Sequence, residues 1–264
     1  MATLFDQEAR IVPTWIHACR SLLARSGDGR EARNFVLEVS DPMTVSEEDR
    51  LMLHTVDSLL RRNADSSIET IAGTIFPQAI YAKYGRPAFY EQFLESMKKG
   101  RKPNTWGTYA LRMIIRDSNG VPINPLETLV EKLKYSASEG HGYRSAYEIG
   151  FVEPGDLAPG SDIGFELPTY DPVRDRNMVS NMPCLSHLSF KLVERAVDLT
   201  PMYRSHYYCS KALGNLIGLA RLQAFVAKET GLNVGTLTCL STHARLDPGT
   251  LGGLRETRRL LGVN

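Results

Sequence analysis

The sequence has no excess of charge, no paired cysteines and no long apolar run, and each absence closes off a class of protein. Thirty-one Lys and Arg stand against 30 Asp and Glu, a formal charge of +1, so the whole chain exerts no strong pull on DNA or acidic membranes. That gives no direct nucleic-acid signal, although a local basic pocket remains compatible with the balance. The four cysteines, Cys19, Cys184, Cys209 and Cys239, lie far apart with no C-x-x-C spacing, which argues against a zinc site and against a disulfide framework. No metal is expected, and a thiol-reducing, cytoplasmic home fits best. Asp6, Glu8 and Arg10 interrupt the first apolar residues and break any signal-peptide core, and no run approaches the roughly 20 apolar residues of a membrane span. A soluble protein with no membrane partner is the expectation. No repeat of solenoid or propeller period is visible.

What is present is enough for one large core. With 264 residues, 42% of them hydrophobic, one α/β or α+β domain over residues 1–264 is expected rather than two. Apolar spacing predicts a helix from Gln7 to about Ala24, ended by Gly27, Asp28 and Gly29, then a strand from Asn34 to Val39 stopped at Asp41-Pro42. Ser46 is placed to cap a helix running to about Arg62, with Glu47, Glu48 and Asp49 at its positive end. Ile68 to Tyr84 is too apolar for a surface helix and is expected to pack on a sheet. Trp106 to Arg116 reads as a strand and Pro125 to Tyr135 as a helix. The stretch from about 136 to 170, rich in Gly, Ser, Pro and charge, reads as an irregular insertion.

The carboxyl half is more explicit. Leu185 to Val193 and Val197 to Tyr203 flank Glu194-Arg195 and read as a hairpin. Strand alternation puts Cys184, Ser186, Leu188 and Phe190 on one face and Leu185, His187 and Ser189 on the other. Leu213 to Glu229 is apolar nearly all round and stops at Gly231, the pattern of a buried central helix. A strand from Leu237 to about Ser241 follows.

Pro183-Cys184, then Arg204-Ser205 twenty residues on, then Asn215 at the head of the apolar helix put a thiol, a guanidinium beside a hydroxyl, and a carboxamide in one segment. These groups suit attack on, anchoring of and reading of a pyrimidine nucleotide. Between Met182 and Val234 this order, Pro-Cys, hairpin, Arg-Ser and Asn-headed helix, resembles thymidylate synthase and the related pyrimidine-nucleotide (dCMP, CMP) hydroxymethylases. The resemblance implies an α+β fold whose mixed, twisted sheet packs on a buried central helix, and a homodimer. It also implies one-carbon transfer to C5 of a pyrimidine nucleoside monophosphate with methylene-tetrahydrofolate as donor.

Residue by residue, the resemblance makes Cys184 the nucleophile that adds to C6 of the base, turning C5 into an enolate-like nucleophile. A nearby cation such as Arg204 is needed to favour the thiolate; a buried small apolar residue is the alternative for a lone cysteine. Arg204 and Ser205 match the phosphate-binding pair, and Asn215 the residue that reads the base edge, where Asn goes with uracil. Arg176, and second Arg174, match arginines that cross a dimer interface to phosphate, with a surface salt-bridge cluster as the alternative. Trp106 stands where the family has a tyrosine near the thiol. Glu69 is the match to the catalytic glutamate, with a helix-surface role as the alternative. His243 of Thr242-His243 approaches the sugar hydroxyl in the family, and Arg30 and Arg33 lie where it has a phosphate-gripping loop, here alternatively a solvated loop.

The departures lie on the folate side. The family's aspartate two residues after Ser205 is replaced by Tyr207, and the chain stops at Asn264 without the extension that closes over cofactor in the synthase. Tyr207 and Tyr208 can stack on a different ring or serve as hairpin-end core. The leading expectation is methylation or hydroxymethylation at C5 in specialised nucleotide metabolism. A folate-independent reaction on a pyrimidine nucleotide and a non-catalytic nucleotide-binding sensor or assembly subunit are the alternatives.

Overall fold

A computed structural model describes residues 4–25, 30–100, 107–118, 120–139 and 183–263. Its centre is a mixed sheet built from β1 (Phe5–Glu8), β2 (Glu31–Val39), β5 (Leu185–Val193), β6 (Ala196–Tyr203), β7 (His206–Tyr207) and β8 (Asn233–Arg245), while β3 (Arg116–Ser118) and β4 (Val121–Ile123) form a separate ribbon. The order across the sheet is β1-β2-β8-β6-β5, with β7 also on β8. β1 runs parallel to β2 and β6 parallel to β8, whereas β2 and β8, and β5 and β6, are antiparallel. The helices are α1 (Ile11–Leu23), α2 (Glu47–Ala64), α3 (Ile68–Ile75), α4 (Gln78–Tyr84), α5 (Ala88–Gly100), α6 (Tyr109–Ile114), α7 (Pro125–Glu139), α8 (Leu213–Thr230) and α9 (Leu254–Leu260). This is an α+β architecture, as expected.

The buried helix is α8. Leu213, Leu216, Leu219, Leu222, Phe225 and Val226 are all buried, and Gly231 ends the helix with φ +70°. Two glycines let α3 approach it. A Cβ at Gly214 would lie 2.7 Å from the Ile71 side chain, and one at Gly218 would lie 2.7 Å from the Ala72 carbonyl, so no larger residue fits without moving a helix. Gln223 joins α8 to the sheet by donating to the carbonyls of Val197 and Gly235 at 2.7 and 3.0 Å. Farther along, Phe225 meets Phe76, Tyr81 and Phe89 with ring centroids 4.9–5.3 Å apart, favourable edge-on and tilted contacts.

Three expectations are corrected. The residues from Gln7 to Glu8 belong to β1, and the helix starts at Ile11; Pro13, with no N–H to give, is tolerated only in a first turn. The segment Ile68 to Tyr84 is two helices broken at Phe76-Pro77, and α3 packs on α8 rather than on a sheet. Residues 109–114 form helix α6 instead of a strand, because Thr108 caps it by accepting from the N–H of Leu111 at 3.2 Å. The expected insertion lies outside the described residues from 140 onward, with 136–139 completing α7.

Other expectations hold. Ser46 caps α2 in a reciprocal capping box with Asp49, which Arg10 also grips at 2.7 Å. The hairpin turns at Glu194, whose φ is 54°. Among the described residues no helix is long and apolar enough to cross a membrane.

Candidate active site

The site begins where β6 leaves its ladder. Tyr203 pairs with Ser241 of β8, and His206 pairs with Ala244, so register resumes after a gap that holds only Arg204 and Ser205. These two residues thereby drop out of the backbone ladder with β8 at the open end of the hairpin. The N–H of Arg204 donates to the carbonyl of Cys184 at 2.9 Å, and the Thr242 hydroxyl donates to the carbonyls of Tyr203 and Arg204 at 3.3 and 3.2 Å. Cys184 and Arg204, twenty residues apart in sequence, are thus held together by backbone geometry. Burial pushes the Cys184 thiol above its usual pKa, and the positive charges of Arg204 and Lys211 pull against that without overcoming it. At neutral pH the group is a thiol with two cations nearby. A register shift between Leu185 and His187 interrupts the alternation expected along β5, so the face of Cys184 does not follow from counting.

Tyr109, which sequence reasoning missed, supports the nucleophile. Its hydroxyl oxygen accepts from the N–H groups of both Cys184 and Leu185, at 3.1 and 3.2 Å, and burial raises its pKa to about 12, so it stays a phenol. Thr108 caps α6 and puts Tyr109 at its first position. Phenylalanine at Tyr109 strands two N–H groups, and the expected cost is about 1–3 kcal/mol of stability. If the hydroxyl sets Cys184, the variant should lose turnover roughly tenfold or more with KM nearly unchanged. Urea denaturation and steady-state kinetics on Tyr109→Phe measure the two effects separately.

Asn215 is held from behind by a buried chain of polar groups. Its Nδ2 lies 3.1 Å from His206 Nε2, His206 Nδ1 lies 3.0 Å from Ser241 Oγ, and Ser241 Oγ lies 3.2 Å from the Tyr208 hydroxyl. Because an amide nitrogen only donates, Nε2 accepts, and the proton of a neutral His206 is assigned to Nδ1, donating to Ser241. Burial lowers the His206 pKa to about 3, and its ring stacks on Tyr203 at 4.0 Å. With His206 in this tautomer the Asn215 carboxamide presents its Nδ2 to the ring, and its orientation follows from that assignment.

This chain of groups has a pH signature. An unfolded histidine takes up its proton near pH 6.5, and folded His206 refuses it down to about pH 3. Stability is therefore complete above pH 6.5 and declines as pH falls toward 3, by about 2 kcal/mol at pH 5. Urea denaturation at pH 7 and pH 5 should show that loss in the wild type and a clearly smaller one in His206→Gln.

The remaining candidates are distributed differently. Arg33 pairs across the ladder with His243, whose Nε2 lies 3.0 Å from Glu31; that hydrogen bond holds the Glu31 carboxyl below its ordinary pKa. Arg30 sits at the start of β2 with φ 41°, and its buried Nε has no hydrogen-bond partner among the described residues, a donor suited to an anion. Glu69 is not brought to Cys184: it forms a two-bond ion pair with Arg221 at 2.9 and 2.8 Å, on a cavity whose lining includes none of Cys184, Arg204 or Asn215. The expected catalytic placement is corrected to a helix-surface pair, because Arg221 of α8 offers a guanidinium where α3 crosses it. Tyr208 is buried and stacked on Phe35 at 5.5 Å, the core alternative, and Tyr207 is exposed. Trp106, Arg174 and Arg176 lie outside the described residues. Among the described residues no group of three His, Cys, Asp or Glu is placed to hold a metal ion.

No protein-family model matches the chain. It is 28% identical over 139 residues to a protein of Methanosarcina mazei named "Putative thymidylate synthase", covering 53% of this chain and 52% of that protein. A protein of the same name from Methanococcoides burtonii is 36% identical over 80 residues, 30% of this chain and 35% of that protein. Another, from Methanosarcina acetivorans, is 26% identical over 124 residues, 47% of this chain and 46% of that protein. The chain thus spans about half the length, or less, of the curated relatives it matches.

Proposed function

We propose that this divergent thymidylate-synthase-like chain transfers a one-carbon unit to C5 of a pyrimidine nucleoside monophosphate through a Cys184 adduct at C6. The observation that carries the reading is the backbone hydrogen bond from Arg204 to Cys184, together with the pull of the Arg204 charge on the Cys184 thiol. Arg204 and Ser205 hold phosphate, with Arg30 a further donor and Arg174 and Arg176 carried over from the resemblance alone. Asn215, held by the buried His206 ring, reads the base, with uracil preferred.

In the reaction the Cys184 thiolate adds to C6, the ring electrons shift to C5, and C5 captures an electrophilic carbon at the oxidation level of formaldehyde. Loss of the C5 proton then expels the donor's leaving group and leaves an exocyclic methylene on the ring still bound to Cys184. Water adding to that methylene expels the thiolate, restores the aromatic ring and gives hydroxymethyl; a hydride supplied by the donor adding in its place gives methyl.

The residues do not fit folate in the way the resemblance describes. Its pterin contact calls for a carboxylate two residues after Ser205, and the exposed phenol of Tyr207 cannot accept a pair of hydrogen bonds as a carboxylate does. No step above is derived through that cofactor.

A second reading, nucleotide binding without turnover, is favoured by the burial that keeps Cys184 protonated. Exchange of the C5 proton separates the two, since it needs only the covalent adduct and no carbon donor. Uridine and cytidine monophosphates, ribo and deoxy, are the substrates to compare. Exchange with one base supports the catalytic reading, and tight binding with no exchange supports the sensor.

A homodimer belongs to the same proposal. Phe5, Val36, Leu240 and Met202 are linked partner to partner across one face of the sheet, and Phe5 is 55% exposed. An apolar row of this kind suits a second copy. Glutamate at Leu240 should shift the sedimentation of a dimer to that of a monomer, and an unchanged species would count against this interface.

A further inference from the structure

A cavity of about 440 Å³ is lined by α1, the loop leading into α2, α2 itself, α3 and α8, with none of Cys184, Arg204, Ser205 or Asn215 on its walls. Its floor is aliphatic, made of Ile11 and Val12 from the first turn of α1, Leu53 from α2, Ile68 from α3, and Ile217 and Ala220 from α8. Met43 and Val45 extend that surface up the loop, 47% and 42% exposed. Together they form a continuous apolar surface rather than scattered apolar side chains.

The polar mouth is selective in what it leaves open. His54, Asp57 and Arg61 recur along α2 at spacings of three and four residues and share one helix face. Asp57 is already committed: it accepts from the N–H of Ile68 at 2.8 Å and from Arg61 Nε at 2.7 Å. Glu69 is committed too, with both oxygens on Arg221. With both carboxylates neutralised by arginines, the rim still offers donors on the terminal nitrogens of Arg61, whose side chain is 64% exposed, and one on the His54 ring.

We propose that this cavity is a second small-molecule site, distinct from the nucleotide site, for a monoanion with a compact apolar body. The body lies on the aliphatic floor, and a carboxylate or similar head meets Arg61 and His54. The volume suits a ligand of this size. A neutral ligand leaves the rim donors to water, a cation finds both rim carboxylates already paired with arginines, and a nucleotide would set a polar sugar against an aliphatic floor.

The test is calorimetric titration with 2-naphthoate and its neutral counterpart 2-naphthamide, on wild type, Arg61→Gln and Leu53→Trp. Arg61 is on the surface, and Leu53→Trp fills the cavity from a partly exposed helix position; thermal melts establish that each variant is folded. Wild type should bind the naphthoate at least tenfold more tightly than the amide. Arg61→Gln should erase that preference, and Leu53→Trp should weaken both probes at least tenfold. Nucleoside monophosphate binding should be unchanged in both variants, so the outcome is independent of the proposed reaction. Absence of naphthoate binding, equal affinity for the two probes in wild type, or a preference that survives in folded Arg61→Gln overturns the proposal.

Discussion

Alanine at Cys184 is expected to slow release of tritium from C5 of the preferred nucleotide by at least about a thousandfold, with the nucleotide Kd changed by less than about threefold. The two effects separate because in the proposed reaction the thiol forms the covalent bond, whereas Arg204, Ser205 and Asn215 are assigned the binding contacts. In the wild type the same assay should depend steeply on pH. Burial holds the Cys184 thiol above its ordinary value against the pull of Arg204 and Lys211, so the thiolate is a small minority at pH 7. The reactive fraction then grows about tenfold per pH unit, and exchange should climb with that slope from pH 6 to about 8.5. An alanine variant that still exchanges, or a flat profile in the wild type, would remove Cys184 from the reaction. Measuring exchange before methyl transfer matters because the identity of the carbon donor does not enter.

What was legible in the sequence is what local rules decide. The capping box at Ser46 and Asp49 involves groups three residues apart. The hairpin around Glu194, and α8 with its stop at Gly231, likewise follow from patterns within one short window. Cys184 and Arg204 were legible as neighbours because a hairpin returns the chain to its start, and the hydrogen bond between them is what that geometry requires. The support around them was not legible. Tyr109 reaches Cys184 from 75 residues away, and the β-formers around it pointed to a strand until the cap at Thr108 decided for helix. His206 has Asn215 nine residues ahead and Ser241 thirty-five ahead, and only the resumption of pairing at β7 turns its ring inward. Glu69 failed as a catalytic match for the same reason: its partner Arg221 is 152 residues away, and no local pattern announces the crossing of α3 over α8. A four-residue strand such as β1 has too few positions for alternation to register, and Pro13 was the available sign that the helix begins later.

Leucine at Arg86 is expected to lower stability by about 3 kcal/mol at pH 7, a fall in Tm of about 5 °C for a chain of this size. Arg86 is only 11% exposed and holds Glu127 through two hydrogen bonds of 2.8 and 2.7 Å. It also bonds Glu131 and lies 3.8 Å from Glu229, which in turn accepts from the Tyr81 hydroxyl. One guanidinium therefore ties α7 and α8 together at the end of α4, and removing it leaves three carboxylates facing each other. The half-exposed Glu131 lets water screen part of the repulsion, which places the cost at the low end for a broken buried pair. The pH dependence identifies the cause. Burial pushes the Glu127 carboxyl up, but the hydrogen bonds and charge of Arg86 outweigh it and hold the group below its ordinary value. A depressed carboxyl contributes stability that is present above the unfolded pKa, near 4.3, and is lost as pH falls through the folded pKa. In Arg86→Leu the clustered carboxylates take up protons more readily instead, so the variant should gain on the wild type as pH drops from 7 toward 4.5. Urea denaturation at those two pH values should find the gap reduced by half or more; a gap of constant size would mean that Arg86 contributes packing and little charge.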